Sequence, residues 1–340
     1  MNLTAESVWC ETKRQDPLRR QMATPFISDL SLMNRVIRLE TNSRTVFERT
    51  RDLFRRYPVV PHRRPEFIWR IVCEPTQTSG PPWPELSAFS DPNLRLLSFG
   101  QHCFLAIDLA VREAVGYITE GLLADETGFV SPFLNTLFTV TAGALRLTPL
   151  TGACVTIRDK GLLVMGKPNH GKTTSSYLAQ RLGLDFYSDA SVFLDLEDGR
   201  LRLWGDFSPA FFRTDSIAYL PDLDRVGRPY HYRDLKFLYV EEGTSISCNG
   251  HPITPVACVF LERGAPGNPR LTHLSHSDSR RRLDGSVSFC DDECFEGQHS
   301  AALSSLARVP AYHLAYGPDP GVAATFLRNI LMVHSSLEVE

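Results

Sequence analysis

Residues 162–174 read LLVMGKPNHGKTT, four apolar residues running straight into a glycine-bearing loop. Gly166, Gly171, Lys172 and Thr173 fall on the spacing G-x-x-x-x-G-K-[ST] of a phosphate-binding loop. That spacing recurs by chance, so its flanks decide what it means. Upstream lies an apolar strand, and downstream TTSSYLAQRLG has a helical pattern with Gly183 as its stop. Strand, loop and helix in that order are what phosphate binding requires. The helix start presents unpaired N–H groups and the positive end of its dipole. The two glycines let the backbone wrap closely around oxygen atoms. Gly166, Lys167, Pro168, Asn169, His170, Gly171, Lys172, Thr173 and Thr174 are therefore expected to cradle a nucleotide. Lys172 would reach the β- and γ-phosphates, and the Thr173 hydroxyl would sit on Mg2+, an ion that keeps several waters. Thr174 adds a second hydroxyl. His170 is expected to point outward, as variable loop positions do. ATP and Mg2+ are the expected ligands.

A cradle does not by itself transfer phosphate. Transfer needs a carboxylate to help hold the metal and a group to orient or deprotonate the acceptor. The next strand, LDFYSDASVFLD, places Asp189 after Phe186 and Tyr187. Asp189 is the candidate metal ligand or base. Asp185, Asp195 and Asp198 read as exposed or turn-bound.

Working outward, TGACVTIRDKGLLVMG reads as a hairpin that turns at Arg158–Gly161. SPFLNTLFTVTAGALRL ahead of it reads as a helix capped by Ser131, with Pro132 in the first turn. LEDGRL predicts a turn at Asp198-Gly199. HPITPVACVFLERG and AYHLAYG read as strands, and FEGQHSAALSSLARV and GVAATFLRNILMVHSSL as helices. Toward the N-terminus, VIRLET, FIWRIVCE, LRLLSFG, HCFLAIDLA and EAVGYITEGLLA suggest strands. SRTVFERTRDLFRRY suggests a helix begun by serine. PTQTSGPPWPE is too rich in proline for regular structure. The expected organisation is a weakly ordered segment over 1–33, a smaller strand-rich domain over 34–145, and an ATP-binding domain over 146–340.

Composition narrows the class. The 340 residues are 43% hydrophobic and 22% charged, as in ordinary globular chains. The formal net charge of -3 excludes nucleic acid as the main expected partner. No stretch reaches the apolar length of a membrane span, and the first residues lack the apolar core of a signal peptide. A cytoplasmic location with no membrane partner is expected. Most of the eight cysteines sit singly in apolar runs and read as buried thiols of a reducing compartment. Cys290 and Cys294 are one close pair, with His299 the nearest further zinc candidate, and two unremarkable thiols are the favoured reading.

The hairpin, GKPNHGKTT, the short helix and YSDASVFLD together resemble the catalytic domain of HPr serine kinase/phosphorylase and its relatives. That resemblance implies the fold shared with phosphoenolpyruvate carboxykinases. It is an α/β (α+β) kinase domain with the loop on a mixed sheet, distinct from the doubly wound sheet of most such proteins. It covers 146–340. Adjacent aspartates follow the loop lysine in the family; Asp189 matches the first and Ala190 replaces the second. Relatives often carry a histidine where Thr151 stands, and an acidic residue where Thr174 stands. Lys236, in LKFLYV, falls where related chains often begin a strand with lysine, and there it would help neutralise transition-state charge. HPr kinases are hexameric, so the resemblance also raises a homo-oligomer.

Two functions follow. One is an ATP-dependent kinase passing the γ-phosphate to a hydroxyl on a protein, a peptide or a small molecule, with Lys172, Asp189 and Lys236 as its catalytic residues. The other is a nucleotide-binding regulatory protein with weak or no transfer, which Ala190 and Thr151 favour. A carboxykinase-like reaction is weaker, because nothing in the sequence aims Arg202, Arg213, Arg225, Arg228 or Arg233 at a substrate.

Overall fold

The computed structural model describes residues 23–61, 63–75, 86–99, 103–125, 128–207, 209–232, 235–240, 250–265, 267–287 and 293–336. It is an α/β chain with several sheets, two of them mixed, and falls into two compact units, Met1–Thr141 and Ala142–Glu340. No helix among the described residues is long and apolar enough to cross a membrane.

In the first unit seven strands form one sheet. They are β1 (Phe26–Leu32), β2 (Arg35–Thr41), β3 (Phe67–Glu74), β4 (Leu86–Ser90), β5 (Leu94–Phe99), β6 (Phe104–Asp108) and β7 (Glu113–Thr119), in the order β1-β2-β3-β7-β6-β5-β4. Between β2 and β3 runs helix α1 (Arg44–Phe54), whose N-cap Ser43 accepts from the Val46 N–H at 3.4 Å. Aromatic rings fill the core, with Phe54 edge-on to both Trp69 (5.6 Å) and Phe138 (5.9 Å). The fully buried Trp69 donates its indole N–H to Thr141 Oγ1 at 2.9 Å.

Three expectations in this unit change. Residues 1–22 lie outside the described residues, but 26–32 form β1, paired along its length with β2, where a weakly ordered segment was expected. Ser28 shares the inward side with Leu30 and Leu32 while Ile27 is exposed, so the alternation is too diluted to read as a strand. EGLLA turns from strand to helix α2 (Glu120–Ala124), because the Thr119 side chain caps its first turn. The helix expected to start at Ser131 is already under way: a π-helical turn spans Phe129–Leu134 and leads into α3 (Asn135–Ala144). The proline-rich stretch 76–85 lies outside the described residues.

The second unit is built around a six-stranded sheet of β9 (Ala153–Ile157), β10 (Lys160–Met165), β11 (Asp185–Ser188), β17 (Thr254–Arg263), β18 (Arg270–His273) and β19 (Ala311–Tyr316). Their order is β11-β9-β10-β17-β19-β18, with β10, β17 and β19 parallel and the others antiparallel. LLVM is apolar throughout because both faces of β10 are covered. Leu162 and Val164 face a core shared with helices α4 (Lys172–Arg181) and α7 (Pro320–Ser336). Leu163 and Met165 face the opposite core, with Leu303 and Leu306 of helix α6 (Glu293–Leu306), which follows α5 (His276–Asp284). Val192 and Leu203 close that side from β12 (Ser191–Glu197) and β13 (Arg200–Gly205), which form a three-stranded sheet with β8 (Leu147–Thr151). A further sheet contains β14 (Ala210–Arg213), β16 (Leu235–Val240) and β15 (Arg228–Tyr232), in that order.

Both predicted turns are found. The hairpin β9–β10 turns at Arg158-Asp159, and Asp198-Gly199 joins β12 to β13 with positive φ at both residues (51° and 74°). Cys290 lies outside the described residues. His299 is buried and shares a 2.8 Å hydrogen bond with Thr148 Oγ1. Among the described residues no three His, Cys, Asp or Glu side chains gather as a metal cluster.

Candidate functional site

Strand β10 ends at Met165, the loop occupies 166–171, and α4 begins at Lys172. Gly166 has φ +143°, and a Cβ there would lie 2.6 Å from the Leu261 carbonyl oxygen of the neighbouring parallel strand. Gly171 has φ +78°, and a Cβ there would run into the Tyr316 hydroxyl. Both glycines are thus required by backbone angle and by space. The left-handed turn between them is completed by Asn169 at φ +67°.

The loop is tied down from behind. The Tyr316 hydroxyl donates to the His170 carbonyl at 2.9 Å, and His170 Nδ1 donates to the Leu261 carbonyl at 2.9 Å. His170 is therefore an anchor to β17, which corrects the outward orientation expected of it. The β10–β17–β19 order creates this anchorage by setting two strands behind the loop. Lys167, Pro168 and Asn169 stay exposed at its tip. Asn169 Oδ1 accepts from Arg213 at 3.2 Å.

Helix α4 starts at Gly171 with no side-chain cap. The N–H groups of its first turn therefore have no side-chain acceptor, which is the condition for an anion to take that place. Lys172 Nζ folds over the loop, donating to the carbonyls of Gly166 (2.9 Å) and Lys167 (3.2 Å). Burial lowers its pKa, and the nearby Asp189 charge opposes that shift.

Thr173 Oγ1 donates to Asp189 Oδ1 at 2.8 Å, so the structure brings together the two residues expected to share a metal. Asp189 is only 3% exposed. Burial raises its pKa, against hydrogen bonds from Thr173 and the backbone N–H groups of Phe211 and Ala190, and against the charge of Lys172. The Phe211 N–H lies 3.3 Å from Oδ2. Ala190 is exposed and has φ +62°, a left-handed angle that asparagine, aspartate and glycine adopt more readily than alanine. Its carbonyl accepts from the Gly152 N–H at 3.0 Å, which seats Thr151 beside this turn.

Thr174 faces another way, its hydroxyl 3.4 Å from that of Ser216. Lys236 lies one residue before Phe237, which pairs with Arg213 of β14. Lys236 is exposed on β16, and among the described residues no hydrogen bond or ion pair links it to the loop or to Asp189. Three contributors escaped sequence reasoning. Arg213 was one of five unaimed arginines, and the structure aims it at Asn169. Tyr316 and the Leu261 carbonyl carry no motif at all, since they lie 146 and 91 residues from the position they hold.

Comparison with known proteins adds little. No protein-family profile matches the chain. No curated protein matches it either. Among solved structures, the Hpr(Ser) kinase/phosphatase from Coxiella burnetii is similar over 55% of this chain and 99% of its own, at 11% identity and a TM-score of 0.27. That is a weak structural similarity and carries no functional weight.

Proposed function

We propose that this protein binds ATP with Mg2+ on the loop 166–171 and transfers the γ-phosphate to a hydroxyl. On this reading Ala142–Glu340 is a P-loop kinase unit with its loop on a mixed sheet, and Met1–Thr141 is a separate strand-rich domain. The observation that carries the reading is the 2.8 Å contact of Thr173 with buried Asp189, beside a helix start that lacks a side-chain cap. These residues fit the absent groups. The glycine cradle has no room for a Cβ at either end. One hydroxyl and one carboxylate suit Mg2+, which keeps several waters and takes one or two carboxylates plus phosphate oxygens.

Each residue then has a task. The uncapped N–H groups of α4 and the backbone of 166–171 bind phosphate oxygens. Lys172 exchanges its two carbonyl acceptors for the β- and γ-phosphates. Thr173 and Asp189 hold the metal, whose role when bound is to neutralise charge on the transferring group. Taking the acceptor's proton is the alternative task for Asp189 in place of holding the metal. The acceptor is a protein, a peptide or a small molecule carrying a hydroxyl. Lys236 has no contact that recruits it among the described residues.

A second reading is nucleotide binding with little or no transfer. It is favoured by Ala190, which sets a methyl group where a second carboxylate would share the work. Incubation with γ-labelled ATP and candidate acceptors decides between the two, beside Lys172→Ala and Asp189→Asn. Label transfer that disappears in both variants supports the kinase. Magnesium-dependent ATP binding with no labelled product from any acceptor supports the second reading. Failure of the wild-type chain to bind ATP refutes both.

A further inference from the structure

One cavity shares Gly171 with the loop, and its remaining walls have no task in the functions above. It measures about 260 Å³ and is lined by Gly171 and Thr174 on one side and by Asp215, Ser216, Tyr219 and Arg263 on the other. Pockets that enclose a drug-sized ligand run to ~300–1,000 Å³. This one is sized for part of a molecule.

Its position follows from the helix. Successive residues of α4 point about 100° apart. Thr173 therefore turns its hydroxyl to Asp189, and Thr174 turns its own toward Ser216 and the cavity. In loops of this kind the lysine reaches the β- and γ-phosphates while the backbone holds the α- and β-phosphates. The transfer end thus lies with Lys172 and Asp189. The other end of a polyphosphate is left to leave past Thr174, into the cavity.

Its walls are also selective. The Arg263 guanidinium lies over the Tyr219 ring, 5.6 Å from the centroid, and is fixed there by the Tyr219 hydroxyl (3.0 Å) and the Pro318 carbonyl (2.6 Å). Two held planar groups make a wall on which a flat ring system stacks. Asp215 is exposed at the rim, its carboxylate 3.7 Å from Arg213, the same side chain that bonds Asn169 of the loop. A carboxylate repels a further phosphate and accepts hydrogen bonds from sugar hydroxyls.

We propose that this cavity is the nucleoside subsite of the loop. The base lies against the Tyr219–Arg263 wall, and Asp215 accepts from a ribose hydroxyl. The assignment rests on the loop binding phosphate, and the two are separable. Full-length protein is titrated with Mg–ATP, Mg–2′,3′-dideoxy-ATP and Mg–tripolyphosphate, as wild type, Tyr219→Ala, Asp215→Ala and Lys172→Ala. Tyr219→Ala is expected to weaken ATP about tenfold and leave tripolyphosphate unchanged, which also shows that the variant is folded. Asp215→Ala is expected to remove the preference for ATP over the dideoxy nucleotide. Lys172→Ala is expected to weaken all three ligands. If tripolyphosphate binds and depends on Lys172, while neither cavity variant alters ATP, the loop reading stands and the cavity assignment is overturned. If no polyphosphate binds the wild type, both fall.

Discussion

Replacing Gly166 by alanine tests whether the loop is held in the shape that phosphate binding needs. Gly166 has φ +143°, where a side chain is strained. Such an angle costs a non-glycine residue on the order of 1–3 kcal/mol. The added Cβ would also sit 2.6 Å from the Leu261 carbonyl oxygen. That oxygen cannot withdraw easily, because β17 is paired to β10 on one side and to β19 on the other. Overpacking of this kind costs roughly 1–3 kcal/mol more. Together the two effects come to about 2–6 kcal/mol. A domain stable by ~5–15 kcal/mol stays folded through most of that range. A shift of the loop relieves the strain at lower cost, so it is the loop that moves. Its displacement takes the Gly166 carbonyl away from Lys172 Nζ, now 2.9 Å apart, and turns the backbone N–H groups off their target. Gly166→Ala should therefore lower Mg–ATP affinity by at least tenfold, which is about 1.4 kcal/mol. Urea unfolding should show a fold that survives. Calorimetric titration gives the affinity. Affinity within twofold of wild type, with an unchanged unfolding midpoint, would refute both the strain and its link to binding.

Other outcomes follow from the same geometry. Burial raises the Asp189 pKa above 3.8, so the folded state holds that proton more tightly than the unfolded chain, and stability is lost as pH rises from 3.8 through the folded value. Asp189→Asn removes that loss: unfolding free energy relative to wild type should increase as pH rises above 3.8, while magnesium-dependent nucleotide binding falls, and a pH-independent difference would contradict it. Tyr316→Phe deletes the hydroxyl that donates to His170 and obstructs a Cβ at Gly171. It should cost about 1 kcal/mol alone, yet make Gly171→Ala less damaging than it is in wild type, a coupling that a double-mutant cycle measures. Burial pushes the Cys73 thiol up to about 11 and Cys258 to about 12. Both should resist alkylation in the folded chain at pH 8 and react once it is unfolded, as mass spectrometry would show.

Local rules were enough where the chain's own angles and periods carry the information. LLVM before a glycine, a helical pattern after Lys172, serine ahead of α1 and Asp198-Gly199 between two strands each act within a few residues. Each is seen in the structure. Those rules failed where a neighbour distant in sequence decides. β1 is a strand because β2 pairs with it along its whole length. His170 turns inward because a carbonyl 91 residues away lies behind it. From the sequence alone come the loop, its lysine and threonine, and Asp189 as the acid to consider. The tertiary structure alone decides that Thr173 meets Asp189, that Arg213 is the arginine at the loop, and that Tyr219 and Arg263 wall a cavity beside Thr174. The physical reason is pairing between strands distant in sequence: β11 beside β9 leads into Asp189, and the parallel order β10–β17–β19 carries Leu261, Arg263 and Tyr316. It sets side chains from separate parts of the chain around one helix start, and no sequence period records which strands will be neighbours.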